Sequence, residues 1–388
     1  MKELKNFDFF MQELSNKLLS GEIFENESQR KRIFYDSLKK MNTDWGTKKK
    51  CMYPGCKDIT ILNSHTIQEK GPLKMIAEGN NQDTVLTSEV KSGKSQIKEV
   101  KIAKSSTFPG FCYEHEKVFK EFEEKKKIEN EIDESLQVFR TICRHLYMLN
   151  HRHKHLVSSI EENSKRKLKT AKDLFNKYAP LPIQIHDNIK RVKDPYDEIE
   201  EKVKLELEQF IKDAQELYNA SVVDLINKKN EELYIKSILI GGNLFPVCLS
   251  GVGNLMWNRD GESQTLNISV IMNILPQENG TIVMAAVHKE YADDLDEYLD
   301  VCCSTELSII NLIESWMIYG TDHWFISPSV WSEIPEERQK KILGELDKVN
   351  KSIKSQCSYS ILDDLRNEAI MKIEGVLNSE RNKVTQDN

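Results

Sequence analysis

Cys51, Cys56, Cys112 and His115, with His65 lying between the two pairs, constrain the fold of this chain more than any other residues. Cys51 and Cys56 bracket a Pro54-Gly55 turn. Cys112 and His115 sit in Phe108-Pro109-Gly110-Phe111-Cys112-Tyr113-Glu114-His115, a turn that runs into a helical pattern. Zinc takes four thiolate or imidazole ligands in a tetrahedron, usually as two short-spaced pairs from separated segments. The spacing therefore predicts one structural Zn2+ tying residues 51–56 to residues 112–115. A segment with so few apolar residues needs such a tie to hold its shape.

At 388 residues, with 39% hydrophobic and 30% charged residues, the chain is long enough for two or three domains with cores of their own. No apolar run reaches the length of a membrane span, so no membrane partner is expected. The N-terminal stretch is amphipathic and lacks a signal-peptide core. Eight cysteines without a regular framework point to free thiols in a reducing cytoplasm. Those outside the metal pairs, Cys143, Cys248, Cys302, Cys303 and Cys357, lie in apolar contexts and read as buried thiols.

The net charge of -7 argues against a dedicated nucleic-acid coat. Its distribution is uneven: Arg30 to Lys57 carries nine Lys/Arg against two acids, a local net of +7, and leads into the first metal pair. Lys91, Lys94, Lys98, Lys101 and Lys104 lead into the second. Lysines clustered beside a finger can contact phosphates, and they serve equally as a solvated face. With 11 arginines among 55 basic residues, bidentate reading of guanine is disfavoured.

The pattern divides the chain into four segments and predicts an α+β, mostly helical fold. Residues 1–50 read as two short helices, one carrying Phe7, Phe10, Leu14 and Leu18, the other Ile33, Ser37 and Lys40. Residues 51–116 form the metal module, with a polar insert around Gly79 to Lys98. Residues 117–240 read as a long helical hairpin, with arms at about 117–178 and 189–239. Residues 241–388 read as a small α+β domain, a candidate for binding a protein partner or small ligand.

In the first arm Ile132, Leu136, Phe139, Cys143, Leu146 and Leu149 step by three or four; in the second, Ile199, Val203, Leu207, Phe210, Ala214 and Leu217 do the same. Ala179-Pro180-Leu181-Pro182 breaks the helix between them. Such a seam packs one arm on the other or on a second subunit, so a homo-oligomer is expected. His151 and His155, in the string HRHKH, share a helix face suited to a metal, but no third ligand is evident and an exposed polar turn explains them as well.

In the last segment Phe245–Leu249, Leu266–Leu275 and Thr281–Val287 read as strands, the latter two joined through Asn279-Gly280, a hairpin signal. Helical patterns follow over Asp293–Cys303, Leu307–Tyr319 and Pro335–Ile353. The aromatic run Trp316 to Trp331 reads as core before it reads as a pocket. Gly251-x-Gly253 alone is a negligible phosphate-loop signal.

With Cys51, Cys56, Cys112 and His115 as ligands, one pair on a turn and one at a helix start, the module has the arrangement of a treble clef. His65 is then left over, after the apolar stretch Ile59-Thr60-Ile61-Leu62. A histidine just after a strand and beside a zinc knuckle resembles the first histidine of the HNH nuclease family, over about residues 51–120. The strings SHTIQ and TFPGFC also look like those of a group of bacterial proteins. The resemblance implies a ββα-metal module acting on nucleic acid, with His65 as general base and Glu116, in the place of the family's last histidine, facing it across a catalytic Mg2+ or Mn2+. It implies lysine flanks on the nucleic acid and, by analogy, a nuclease effector in bacterial anti-phage defence. The alternative is a non-catalytic, zinc-stapled interaction or scaffold protein that assembles through its helical hairpin.

Overall fold

The computed structural model describes residues 2–19, 40–80, 83–91, 93–178, 190–193, 196–242, 244–259, 265–348, 352–353 and 359–386. It divides into two compact units, one of residues 1–47 and 146–213, the other of residues 48–145 and 214–388. This partition cuts across the four segments read along the sequence. The architecture is α+β, as expected.

The first unit is helical. Helix α1 spans Lys2–Leu19; the second predicted helix lies outside the described residues apart from Lys40, which is helical. A helix of 48 residues, Glu131–Tyr178, enters this unit at Leu146, and the helix Tyr196–Asn227 leaves it after Asp213. Within the unit the two run antiparallel. Lys167 pairs with Asp197 at 2.5 Å, Asn163 donates to Glu200 at 3.1 Å, and His153 meets Glu208 at 3.1 Å, partners descending on one helix as they rise on the other. The Pro180-Leu181-Pro182 connection lies outside the described residues.

The expected seam is buried through most of the first arm but only toward the end of the second. Leu136, Phe139, Cys143, Leu146 and Leu149 are buried, as are Ala214 and Leu217. Ile132, Ile199, Val203 and Phe210 are instead exposed, at 62%, 58%, 45% and 42%. Polar pairs cross between the helices in this stretch, while Ile199, Val203 and Phe210 of Tyr196–Asn227 face solvent and Leu207 is half-buried.

The second unit is built on a seven-stranded antiparallel sheet of order β3-β2-β9-β6-β7-β8-β5. The strands are β2 (Thr84–Lys91), β3 (Lys94–Lys101), β5 (Leu233–Gly241), β6 (Val247–Asn258), β7 (Thr265–Gln277), β8 (Gly280–His288) and β9 (Trp324–Ile326); the short β1 (Ser64–His65) and β4 (Thr107–Phe108) pair separately. Three of these correct the sequence reading. The polar insert is the β2–β3 hairpin. Residues 233–239, assigned to the second helical arm, belong to strand β5. The helical pattern Pro335–Ile353 ends as helix at Leu346, and Ile353 bridges to Leu255 on β6. The β7–β8 hairpin forms at Asn279-Gly280 as expected, with Gln277 opposite Gly280.

Strand β7 from Val270 onward and nearly all of β8 are buried because both faces are covered. One face, including Val270, Met272, Ile274, Val283 and Ala285, packs on helices Ala292–Cys302 and Glu306–Ser315 through Leu295, Leu299, Ile310 and Ile313. Trp316, Trp324 and Trp331 belong to this core. The opposite face meets the start of Glu131–Tyr178, where the Gln137 amide donates to Asn273 Oδ1 at 3.1 Å and the Thr141 hydroxyl lies 2.8 Å from the same oxygen. Gln137 also donates to Thr66 O at 3.1 Å, fixing the segment after β1 to the same helix.

Gly251 and Gly253 are packing residues: a Cβ on Gly251 would lie 2.2 Å from Thr321 Oγ1, and one on Gly253 2.5 Å from Gly320 O. Glu314 is fully buried and accepts from the backbone N–H groups of Tyr359, Ser360, Ile361 and Leu362, the residues leading into helix Asp363–Gln386. Among the described residues no single helix is long and apolar enough to cross a membrane; a bent pair, Lys289–Cys302 with Glu306–Gly320, passes on length and composition alone.

Candidate metal centre

The first ligand pair is shaped by its turn. Gly55 adopts φ +72°, a conformation a side chain would strain, and Cys56 N donates to Tyr53 O at 3.1 Å. The loop is then tied to the second pair's segment by Met52 N to Gly110 O at 2.9 Å and Ile61 N to Phe111 O at 2.8 Å. Strands β1 and β4 pair antiparallel, Ser64 opposite Phe108, and the helical turn Tyr113–Glu116 follows with Cys112 as its N-cap. Strand, strand and helix therefore succeed one another around the cluster.

Cys51, Cys56, Cys112 and His115 converge, each offering one ligand atom, all within 4.8 Å of one another. Cys56 Sγ lies 3.9 Å from Cys112 Sγ, and His115 Nδ1 lies 3.7 Å from Cys51 Sγ and 3.2 Å from Cys112 Sγ. Tetrahedral zinc with bonds of about 2.3 Å to sulfur and 2.0 Å to nitrogen sets its ligands about 3.5–3.8 Å apart, so the set fits. Backbone N–H groups of Tyr53, Asp58 and Cys112 point at the thiols of Cys51, Cys56 and Cys51 from 3.5, 3.4 and 3.3 Å, contacts that favour thiolates. Burial, outweighing the N–H groups of Tyr53 and Cys112 and aided by the neighbouring thiols, raises the Cys51 thiol to about 12; a metal ion on the cluster would favour its thiolate instead. Tyr53 stacks on the His115 ring at 4.0 Å and steadies it, and Tyr218 Oη donates to Met52 O at 2.6 Å, holding the loop that carries Cys51. This Cys3His cluster can bind a metal ion.

His65 stands apart from that set. Its Nε2 lies 3.3 Å from Ile102 O and 3.8 Å from Glu69, and burial holds the imidazole below its ordinary value, against the pull of that carbonyl and Glu69. Glu116 faces a guanidinium: its Oε1 is 3.6 Å from Arg140 Nη2, and burial raises its carboxyl against the Arg140 charge. Sequence reasoning missed Arg140. It is fully buried, reaches Glu123 at 2.6 Å, and lies over the rings of Phe119 at 4.2 Å and Phe122 at 5.5 Å. Its only sequence signal is a basic residue on the apolar face of a long helix, beside Phe139.

The lysines between the ligand pairs lie on or near the hairpin. Lys98 pairs with Glu89 at 2.9 Å and Lys101 with Asp83 at 3.4 Å. Lys94, Lys98 and Lys101 occupy β3, the last strand of the sheet, where charge discourages further strands from adding. Residues 30–39 of the first basic run lie outside the described residues. The described cysteines are free thiols, Cys143, Cys248 and Cys302 buried; Cys357 lies outside the described residues. Comparison with family models, with curated proteins and with solved structures finds no match to this chain.

Proposed function

We propose that Cys51, Cys56, Cys112 and His115 bind one structural zinc ion, and that the chain acts as a zinc-stapled, non-catalytic scaffold assembling with copies of itself through its helical arms. The observation that carries the non-catalytic reading is Arg140. A buried guanidinium 3.6 Å from Glu116, shared with Glu123 at 2.6 Å, already stands beside the carboxylate that a second, catalytic cation would need, and it repels that cation. Self-assembly draws on Ile199, Val203 and Phe210, an apolar stripe left in solvent on an otherwise charged helix. Light scattering of the purified chain at micromolar concentration tests this: a dimer or larger species is expected, and a monomer overturns the assembly.

A second reading is favoured by one observation, the strand–strand–helix order that leaves His65, whose protonation burial disfavours, at the end of β1 without ligating the cluster. That is the placement of a general base in an HNH-like nuclease acting on nucleic acid. Incubation of DNA and RNA with the parent and His65→Ala, in Mg2+ and in Mn2+, separates the two. Cleavage by the parent that His65→Ala abolishes establishes the nuclease; no cleavage by either upholds the scaffold.

A further inference from the structure

The helical unit holds a second cluster of ligand-type side chains. His151 and His155, one turn apart on the long helix, bring Nδ1 and Nε2 respectively to 3.4 Å from Asp44 Oδ2. The three ligand atoms lie within 4.8 Å of one another. We infer that Asp44, His151 and His155 form a metal site of the two-histidine, one-carboxylate type, selective for a divalent first-row ion such as zinc.

The spacing is what such an ion imposes. Bonds of about 2.0–2.1 Å at tetrahedral angles put neighbouring N and O ligands about 3.3–3.4 Å apart, and both nitrogens stand at 3.4 Å from the carboxylate oxygen. The site is also built. The His151 side chain is 6% exposed, and Nε2 of His155 is buried with no hydrogen-bond partner. Asp44 comes from a segment far away in sequence and is held in place around the carboxylate: Thr47 Oγ1 donates to Asp44 O at 2.8 Å, and Tyr147 Oη donates to Trp45 O at 3.2 Å. Trp45 and Tyr147 flank the His151 ring, with centroids at 5.3 and 6.1 Å. His153, the middle histidine of the string, points elsewhere and meets Glu208.

Lys154 competes with an ion for this carboxylate. Lys154 Nζ lies 2.9 Å from the same Asp44 oxygen, but its side chain is 63% exposed and swings into water at little cost. An incoming ion displaces it. Two imidazoles and one carboxylate leave a fourth position for water or an exogenous ligand, unlike the closed Cys3His set. The ion would staple residues 44–47 to the long helix.

Cobalt titration of the reduced, chelator-treated full chain tests this site separately from the cysteine cluster. Two equivalents should bind. One gives the intense thiolate-to-cobalt absorption of cysteine ligation; the other gives only weak visible bands. His155→Gln and Asp44→Asn should each weaken the second equivalent by more than the ~10–100-fold that losing a mere supporting group costs, with the thiolate bands and the metal-free circular dichroism unchanged. Lys154→Gln should tighten it. A parent that binds only the thiolate-coordinated equivalent, or a second equivalent indifferent to His155→Gln and Asp44→Asn, overturns the inference.

Discussion

Replacing Glu314 by Gln removes a charge and almost no volume, so its effect isolates the hydrogen bonding of one buried carboxylate. Oε1 accepts from Ile361 N and Leu362 N, both at 2.9 Å; Oε2 accepts from Tyr359 N at 2.6 Å, Ser360 N at 3.1 Å and Arg366 Nη2 at 2.9 Å. Glutamine keeps one acceptor oxygen and turns an NH2 group toward the remaining donors. At least two backbone N–H groups then lose their acceptor in the interior, and each costs about 1–3 kcal/mol. Arg366 keeps its charge while its buried partner becomes neutral, and breaking such a pair costs about 3–5 kcal/mol. These contributions overlap, so the expected loss is about 3–5 kcal/mol, a large part of a typical domain's stability. Trp316, Trp324 and Trp331 share the core beside this segment, so their fluorescence reports the relevant urea transition. Its midpoint should fall by that equivalent, and amide exchange at Tyr359–Leu362 should quicken most. A shift below about 1 kcal/mol, with protection at those four amides unchanged, would refute the reasoning.

Metal analysis of the purified chain should find zinc in thiolate coordination, and Cys112→Ser should release it; purified protein lacking any such zinc would sink the staple. His323 is buried beside Ser250 O at 2.5 Å, and burial, reinforced by the Arg144 charge, holds its imidazole well below 6.5. The unfolded chain therefore takes up a proton below about pH 6.5 that the folded chain refuses, so this contribution is whole above that pH and declines on acidification by about 1.4 kcal/mol per pH unit. His323→Gln should flatten the acid limb of a stability–pH profile by that slope, and an unchanged limb would count against it. Val203→Asp with Phe210→Asp should shift the light-scattering mass to that of one chain while helicity holds; an unchanged oligomer would place the interface elsewhere.

The cysteine pairs were legible in the sequence because metal ligation fixes residue type and local spacing together, and Pro54-Gly55 and Pro109-Gly110 marked both turns. The β7–β8 hairpin was legible for a similar reason, its turn residues being local. The β2–β3 hairpin was not: Thr84–Lys91 and Lys94–Lys101 carry polar and charged residues on both faces, as an edge suits, and so lack an apolar alternation. Strand β5 was absorbed into the helical arm because the polar run Asn227 to Glu232 ahead of it holds no Gly or Pro, so the first such break is Gly241-Gly242. The seam of the second arm misled for a different reason. Periodicity reports that residues share a face, but not what that face meets, and Ile199, Val203 and Phe210 meet solvent. Asp44 could not be found as a third ligand for His151 and His155 because only the folded chain brings it beside them. Arg140 was invisible because a lone arginine on an apolar face carries no signal of the two carboxylates it will meet.

Strand β2 lies between the two metal-ligand pairs in sequence, yet its neighbour in the sheet is β9, with Leu86 opposite Ile326. Those residues are 240 apart (326 − 86), and at about 5–20 residues per second a ribosome needs roughly 12–48 s to make the intervening chain. Both cysteine pairs emerge well before that. If the cluster takes a metal ion, the knuckle can close early, holding β2 and β3 as a looped-out hairpin with an open edge, while the sheet that receives them waits for the aromatic segment around Trp324. Long-range pairing of this kind is slow and leaves an edge exposed meanwhile. The lysines along β3, which blunt the edge of the finished sheet, would guard that waiting hairpin against the wrong strand during synthesis as well.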